Sequence, residues 1–181
     1  PFPFAPIQII LLELFMDLAA SAGFVSEPAE KLIYSRPPRD PKEKFIDGHM
    51  LRGIVRSSLS LFAAVTIVYF FAAWWLHIPI SSPSESEPRV LQTYAFSAWI
   101  IGHILLAMVS RSDKEPIIKL GIFSNKAMIV WAVLAMVFLF FVVGVPSVST
   151  YFRLSTIDMT QAVIIFSICF ACTFWQELTK I

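Results

Sequence analysis

The sequence predicts an all-α fold, an integral membrane bundle of five transmembrane helices, and three observations carry that expectation. First, 57% of its 181 residues are hydrophobic and only 15% charged, against about a quarter charged in soluble domains, and the mean hydropathy is +0.72. Second, the apolar residues gather into stretches of roughly 20, the length a helix needs to cross a bilayer. Third, the charged residues are sorted unevenly among the connecting segments. The residues 1–181 therefore read as a single transmembrane domain. With 17 Phe and 5 Trp the chain is too apolar for a disordered segment. A formal charge of +1 excludes a polybasic nucleic-acid binder, and two Cys and three His leave little for a disulfide scaffold or a multi-ligand zinc site.

The five spans follow in order. The first, residues 7–25, opens after Pro6, and proline suits a first helical turn because its missing N–H has no partner there anyway. The second, 54–78, holds the run LFAAVTIVYFFAAWWLHI. The third is 90–109. The fourth, 127–145, is apolar throughout. The fifth, 159–178, opens at Asp158 with Gln161 three residues on, the pattern of a capping box. Continuous apolar runs of this length leave no alternation for barrel strands. Asp40-Pro41-Lys42-Glu43 predicts a short helix in the first connection, after an extended Pro37-Pro38.

Twelve of the 14 basic residues, including Lys31, Arg36, Arg39, Lys42, Lys44, Arg111, Lys119 and Lys180, fall on one side of this topology, and the other side holds Arg89 and Arg153. The positive-inside rule makes the basic side cytoplasmic, with Pro1 outside and Ile181 inside. The start at Pro1 rather than Met suggests a piece of something longer.

Glu13 and Asp17 are the acids well inside a span, four residues apart and so on one helix face. Asp17 lies about 15 Å along the helix from Ile7, near the midplane. Two acids cost about 6 kcal/mol on the insertion scale, and ten Ile, Leu, Phe and Val residues return about 5, so this span needs neighbours. Paired carboxylates facing a bundle interior bind a hard cation through oxygen or share a proton. The plainer reading is hydrogen-bonding glue between helices, but intramembrane acids are functional by default. His103, midway along the third span, is a polar contact or a third group of the same site. His49 and His77 read as interfacial or solvated, and Cys169 and Cys172 as small apolar residues. Arg36, Arg39, Lys42 and Lys44 read as a positive-inside signal or, more sharply, a docking surface.

Pro6-Ile7-Gln8, Asp17, Glu27-Pro28, Arg36-Pro37-Pro38-Arg39 and Pro41-Lys42-Glu43 together resemble the sixth membrane helix and following loop of calcium-pump-like P-type cation-transporting ATPases, and LSTIDMTQ with QELTK is similar to the two ends of their tenth helix. The resemblance implies helices six to ten of a ten-helix pump, with an outward start, a cytoplasmic end and a loop at Arg36, Arg39 and Lys42 that docks on cytoplasmic domains. It implies Asp17, Glu13 and His103 as cation-binding positions. The cation is calcium or another, a proton included, because Glu13 stands for the family's Asn, Met16 for its Thr, Leu18 for its Gly and His103 for its Glu or Gln. The implied partners are the bilayer and the pump's remaining helices and cytoplasmic domains, where ATP and Mg2+ act. No D-K-T-G motif occurs here, so the chain alone is expected to hydrolyse nothing. The rival reading is a non-catalytic membrane scaffold or regulatory module. An intramembrane aspartyl protease fits less well, since its two acids sit on separate helices.

Overall fold

The structure, a computed structural model, describes residues 4–14, 20–29, 46–81, 87–112 and 114–180. Its described elements are helical: α1 (Pro6–Glu13), α2 (Ala20–Val25), α3 (Gly48–Trp75), α4 (Glu87–Val109), α5 (Ile117–Leu120), α6 (Lys126–Gly144), α7 (Pro146–Tyr151) and α8 (Met159–Leu178). Four of these, α3, α4, α6 and α8, are long and apolar enough to cross a membrane. The first expected span corresponds to α1 and α2, with 15–19 outside the described residues.

Boundaries follow local chemistry more than hydropathy. Helix α3 begins before the expected residue 54 because Asp47 caps it, its carboxylate accepting from the Met50 N–H at 2.7 Å. It ends at Trp75, short of 78, where His77 takes φ 56°, a left-handed conformation that no α-helix continues through. Helix α8 occupies the expected 159–178, and the Asp158–Gln161 capping box is present in both directions, at 2.8 and 3.0 Å. Asn125 caps α6 through the Met128 N–H at 2.9 Å. The expected short helix at Asp40–Glu43 lies outside the described residues.

Helix α4 is the hub. It packs on α3, α6 and α8, and α3 also packs on α8. Lipid tails are as apolar as leucine, so helices in a bilayer associate through close packing, and small residues permit it. Ser60, Ala64, Val68 and Ala72 form a buried stripe at four-residue spacing along α3. Gly102 of α4 sits so near α3 that a Cβ there would come within 2.8 Å of the Leu61 side chain. Helix α6 buries Met128, Trp131, Ala132, Ala135, Leu139, Val142 and Val143 as one strip. It turns Val130, Val133, Leu134, Val137, Phe140 and Phe141 outward, the surface lipid would wet.

Candidate cation site and the polar clusters at the span ends

Glu13 closes α1 and is exposed, as are Ile9, Ile10 and Leu14 around it. The opposite side of α1 is covered: Leu12 and Gln8 are buried. Asp17, Arg36, Arg39 and Lys42 lie outside the described residues. His103 is half-buried on α4. Its Nδ1 lies 3.0 Å from the Trp99 carbonyl one turn back, which calls for the proton on Nδ1, and its ring lies against Trp99 at 3.6 Å between centroids, tilted by 35°. It lines a cleft of about 410 Å³ between α3, α4 and the end of α8, with Arg56, Ser57, Gln176 and Lys180. Among the described residues no three of His, Cys, Asp and Glu converge as a metal site. Cys169 is buried, its thiol directed at the Ala98 carbonyl at 3.5 Å, consistent with a packing role.

The most elaborate polar arrangement joins residues that sequence spacing could not pair. Glu27 follows α2, and Arg111 lies 84 positions later, just beyond α4. The guanidinium Nε donates to both Glu27 oxygens at 3.0 Å, and Nη2 donates to Oε1 at 2.7 Å. Nη1 donates to the Gly121 and Ile122 carbonyls at 3.2 and 3.1 Å, and Nη2 also donates to the Ser124 hydroxyl. All five guanidinium donors are therefore engaged. Asn125 adds a bond to Glu27 at 2.6 Å and another to the Gly23 carbonyl at 2.7 Å. The Arg111 side chain is only 1% exposed and that of Glu27 16%. Burial pushes the Glu27 carboxyl upward, but the hydrogen bonds from Arg111 and Asn125 and the guanidinium charge outweigh it and hold the group below its usual range. Gly23 matters for the same contact: a Cβ there would press on Met128 at 3.2–3.4 Å. The sequence offered one signal, Ser124-Asn125 ahead of an apolar run, which is an N-cap pattern.

Two more clusters tie spans together. At the end of α8, buried Glu177 accepts from Lys180 and from the Ile117 N–H that starts α5, both at 2.7 Å, and Lys180 donates to the Val109 carbonyl. Gln176 reaches Ser60 at 3.0 Å, and Trp175 reaches it at 3.2 Å, joining α8 to α3. At the other end of the bundle, fully buried Gln8 accepts from the Ala5 N–H at 3.0 Å and donates to the Phe152 and Arg153 carbonyls at 3.4 Å.

Comparison with known proteins gives these features a context. The chain is similar to a probable cation-transporting ATPase F of Mycobacterium tuberculosis, 25% identical over 94% of this chain and 18% of the relative. It is similar to the calcium-transporting ATPase type 2C member 1 of Mus musculus, 21% identical over 99% of this chain and 19% of the relative. A calcium-transporting ATPase of Listeria monocytogenes is 22% identical over 99% of this chain and 19% of its own length. The chain thus spans less than a fifth of the length of these relatives. The family described as cation transporting ATPase, C-terminus, matches residues 1–181. With its membrane-length helices and a match along its whole length, the chain belongs to that family and corresponds to the membrane-embedded C-terminal region of P-type cation-transporting ATPases.

Proposed function

We propose that this chain, as one transmembrane domain over residues 1–181, supplies the ion-binding carboxylates of an ATP-driven cation pump. Asp17 and Glu13 are the ligands to the transported cation, with Asp17 the stronger, and His103 lends a third polar group. The remaining helices complete the site. Cytoplasmic domains outside this chain bind ATP and Mg2+ and dock on the loop at Arg36, Arg39 and Lys42. The start of the chain faces outward and its end faces the cytoplasm, as the charge sorting favours.

The observation that carries this reading is Glu13. It stands on an apolar span, beside Ile10 and Leu14, on the face that the rest of the chain leaves exposed. A carboxylate there needs a cation, a proton or a polar neighbour. The names of the relatives, several of them calcium-transporting ATPases, favour a divalent cation, which takes oxygen ligands from carboxylates.

The test is cation-dependent phosphorylation by ATP in the full-length protein. For a divalent ion, Asp17→Asn abolishes it and Glu13→Gln weakens it. For a proton, Glu13→Gln is the more damaging change and added calcium has no effect. Full activity after neutralising both acids would leave helix glue or a scaffold role as the better account.

A further inference from the structure

We propose that Glu27, Arg111 and Asn125 form a positioning latch that holds the carboxylate-bearing first span in one register, so that cation affinity depends on it. This rests on the reading of Asp17 and Glu13 as ligands.

Helix α2 begins three residues after Asp17, and Glu27 follows two residues after its end. Chain connectivity alone ties Asp17 to the start of α2, since three residues of chain reach at most about 11 Å. Three contacts set that placement, and all come from the segment between α4 and α6 or from the start of α6. Asn125 grips the Gly23 carbonyl inside α2, Arg111 and Asn125 grip the Glu27 carboxylate beyond it, and Met128 lies against Gly23. A shift of the span by one turn, about 5.4 Å, would break every one of these bonds while Arg111 stayed bound to the Gly121 and Ile122 carbonyls.

The energetics favour a register device over a stabiliser. Desolvating a buried ion pair offsets most of its Coulomb gain, so such a pair adds little net stability, and specifying register is its best-attested use. A fully satisfied network also tolerates few alternative geometries. An apolar contact would have held α2 on α6 as firmly while letting it slide.

In the full-length protein, the half-saturating cation concentration for phosphorylation by ATP is measured in Ca2+, Mn2+ and proton titrations and normalised to folded protein. Glu27→Gln, which keeps the shape and an acceptor, and Arg111→Lys, which keeps the charge but loses the fork, are each expected to raise it about tenfold, within the usual range of coupling between sites. Maximal phosphoenzyme per folded molecule is expected to hold, and the double variant to be little worse than the worse single variant. If Glu27→Gln yields too little protein, Asn125→Ser, which retains a cap for α6, carries the same measurement. Variants that lower only the yield of folded protein, with half-saturation within twofold of the parent, would reduce the cluster to structural support and overturn the latch. Asp17→Asn, run alongside, separates the two ideas. If it abolishes cation dependence while the latch variants leave affinity intact, the latch fails and the ligands stand. If it leaves cation dependence unchanged, the ligand assignment fails and takes the latch's purpose with it.

Discussion

Replacing Asn125 by alanine is the sharpest test of how the first span is held, because one side chain does three jobs. It caps α6 by accepting from the Met128 N–H at 2.9 Å, donates to the Gly23 carbonyl at 2.7 Å and donates to Glu27 at 2.6 Å, while only 1% exposed. Loss of the cap costs about 1 kcal/mol. A buried carbonyl left without its donor costs about 1–3 kcal/mol, and a hydrogen bond to a carboxylate is worth about 1.5–3. Glu27 keeps Arg111, so the last figure is only partly lost, and the expected total is about 3 kcal/mol. Asn125→Asp separates the contributions. It keeps the cap acceptor but removes both donors and sets a second carboxylate against Glu27, so at neutral pH it should cost at least as much as alanine. It should recover on acidification, when the two carboxyls can share a proton. Unfolding by SDS titration of the protein in mild-detergent micelles reads both. A loss below about 1 kcal/mol for Asn125→Ala, together with parental stability for Asn125→Asp, would refute the assigned bonds.

Three further outcomes are expected. Because the Glu27 carboxyl is held below its ordinary value near 4.5, its contribution to stability is present above that pH and lost as pH falls through the folded value; thermal unfolding in detergent should show Glu27→Gln less stable at pH 7 and converging on the parent as acidification carries the pH through that lowered folded value. Gln8→Leu fills the buried space but strands the Ala5 N–H and weakens the hold on the Phe152–Arg153 turn, for a loss of about 1–2 kcal/mol in the same SDS titration. Single cysteines introduced at the exposed Ser81 and Lys119 should react with an impermeant thiol reagent from the outer and cytoplasmic sides respectively; labelling of Ser81→Cys from the cytoplasm would invert the topology.

Much of this was readable from residue order, and the exceptions have physical causes. The positions of α3, α4, α6 and α8 were legible because crossing a bilayer demands a long apolar run, and α8 matches its expected limits since its cap, Asp158 with Gln161 three residues on, is a local pattern. Helix α3 starts six residues earlier than hydropathy suggested, because a polar stretch with a good N-cap is helical whether or not it is apolar. Glu13, Asp17 and His103 stood out as polar groups in apolar surroundings, a local signal. The Glu27–Arg111 pair did not, since nothing local distinguishes an arginine that will be buried from its neighbours Lys114 and Lys119, and 84 residues separate the partners. Gln8 was legible only as part of a motif; its bonds to the Phe152 and Arg153 carbonyls depend on where a distant turn comes to rest.

The hub position of α4 has a consequence for biogenesis. The most enclosed of the spanning helices is also one of the less apolar, carrying Gln92, Thr93, Ser97, Gly102 and His103. Left alone in lipid it would be a poor guest. Its preceding neighbour α3 presents a small-residue stripe and packs closely against it, so the two are suited to leave the insertion machinery as a helical hairpin, with α3 shielding α4 until α6 and α8 arrive. The order of synthesis thus supplies α4 with a companion before it must face the bilayer by itself.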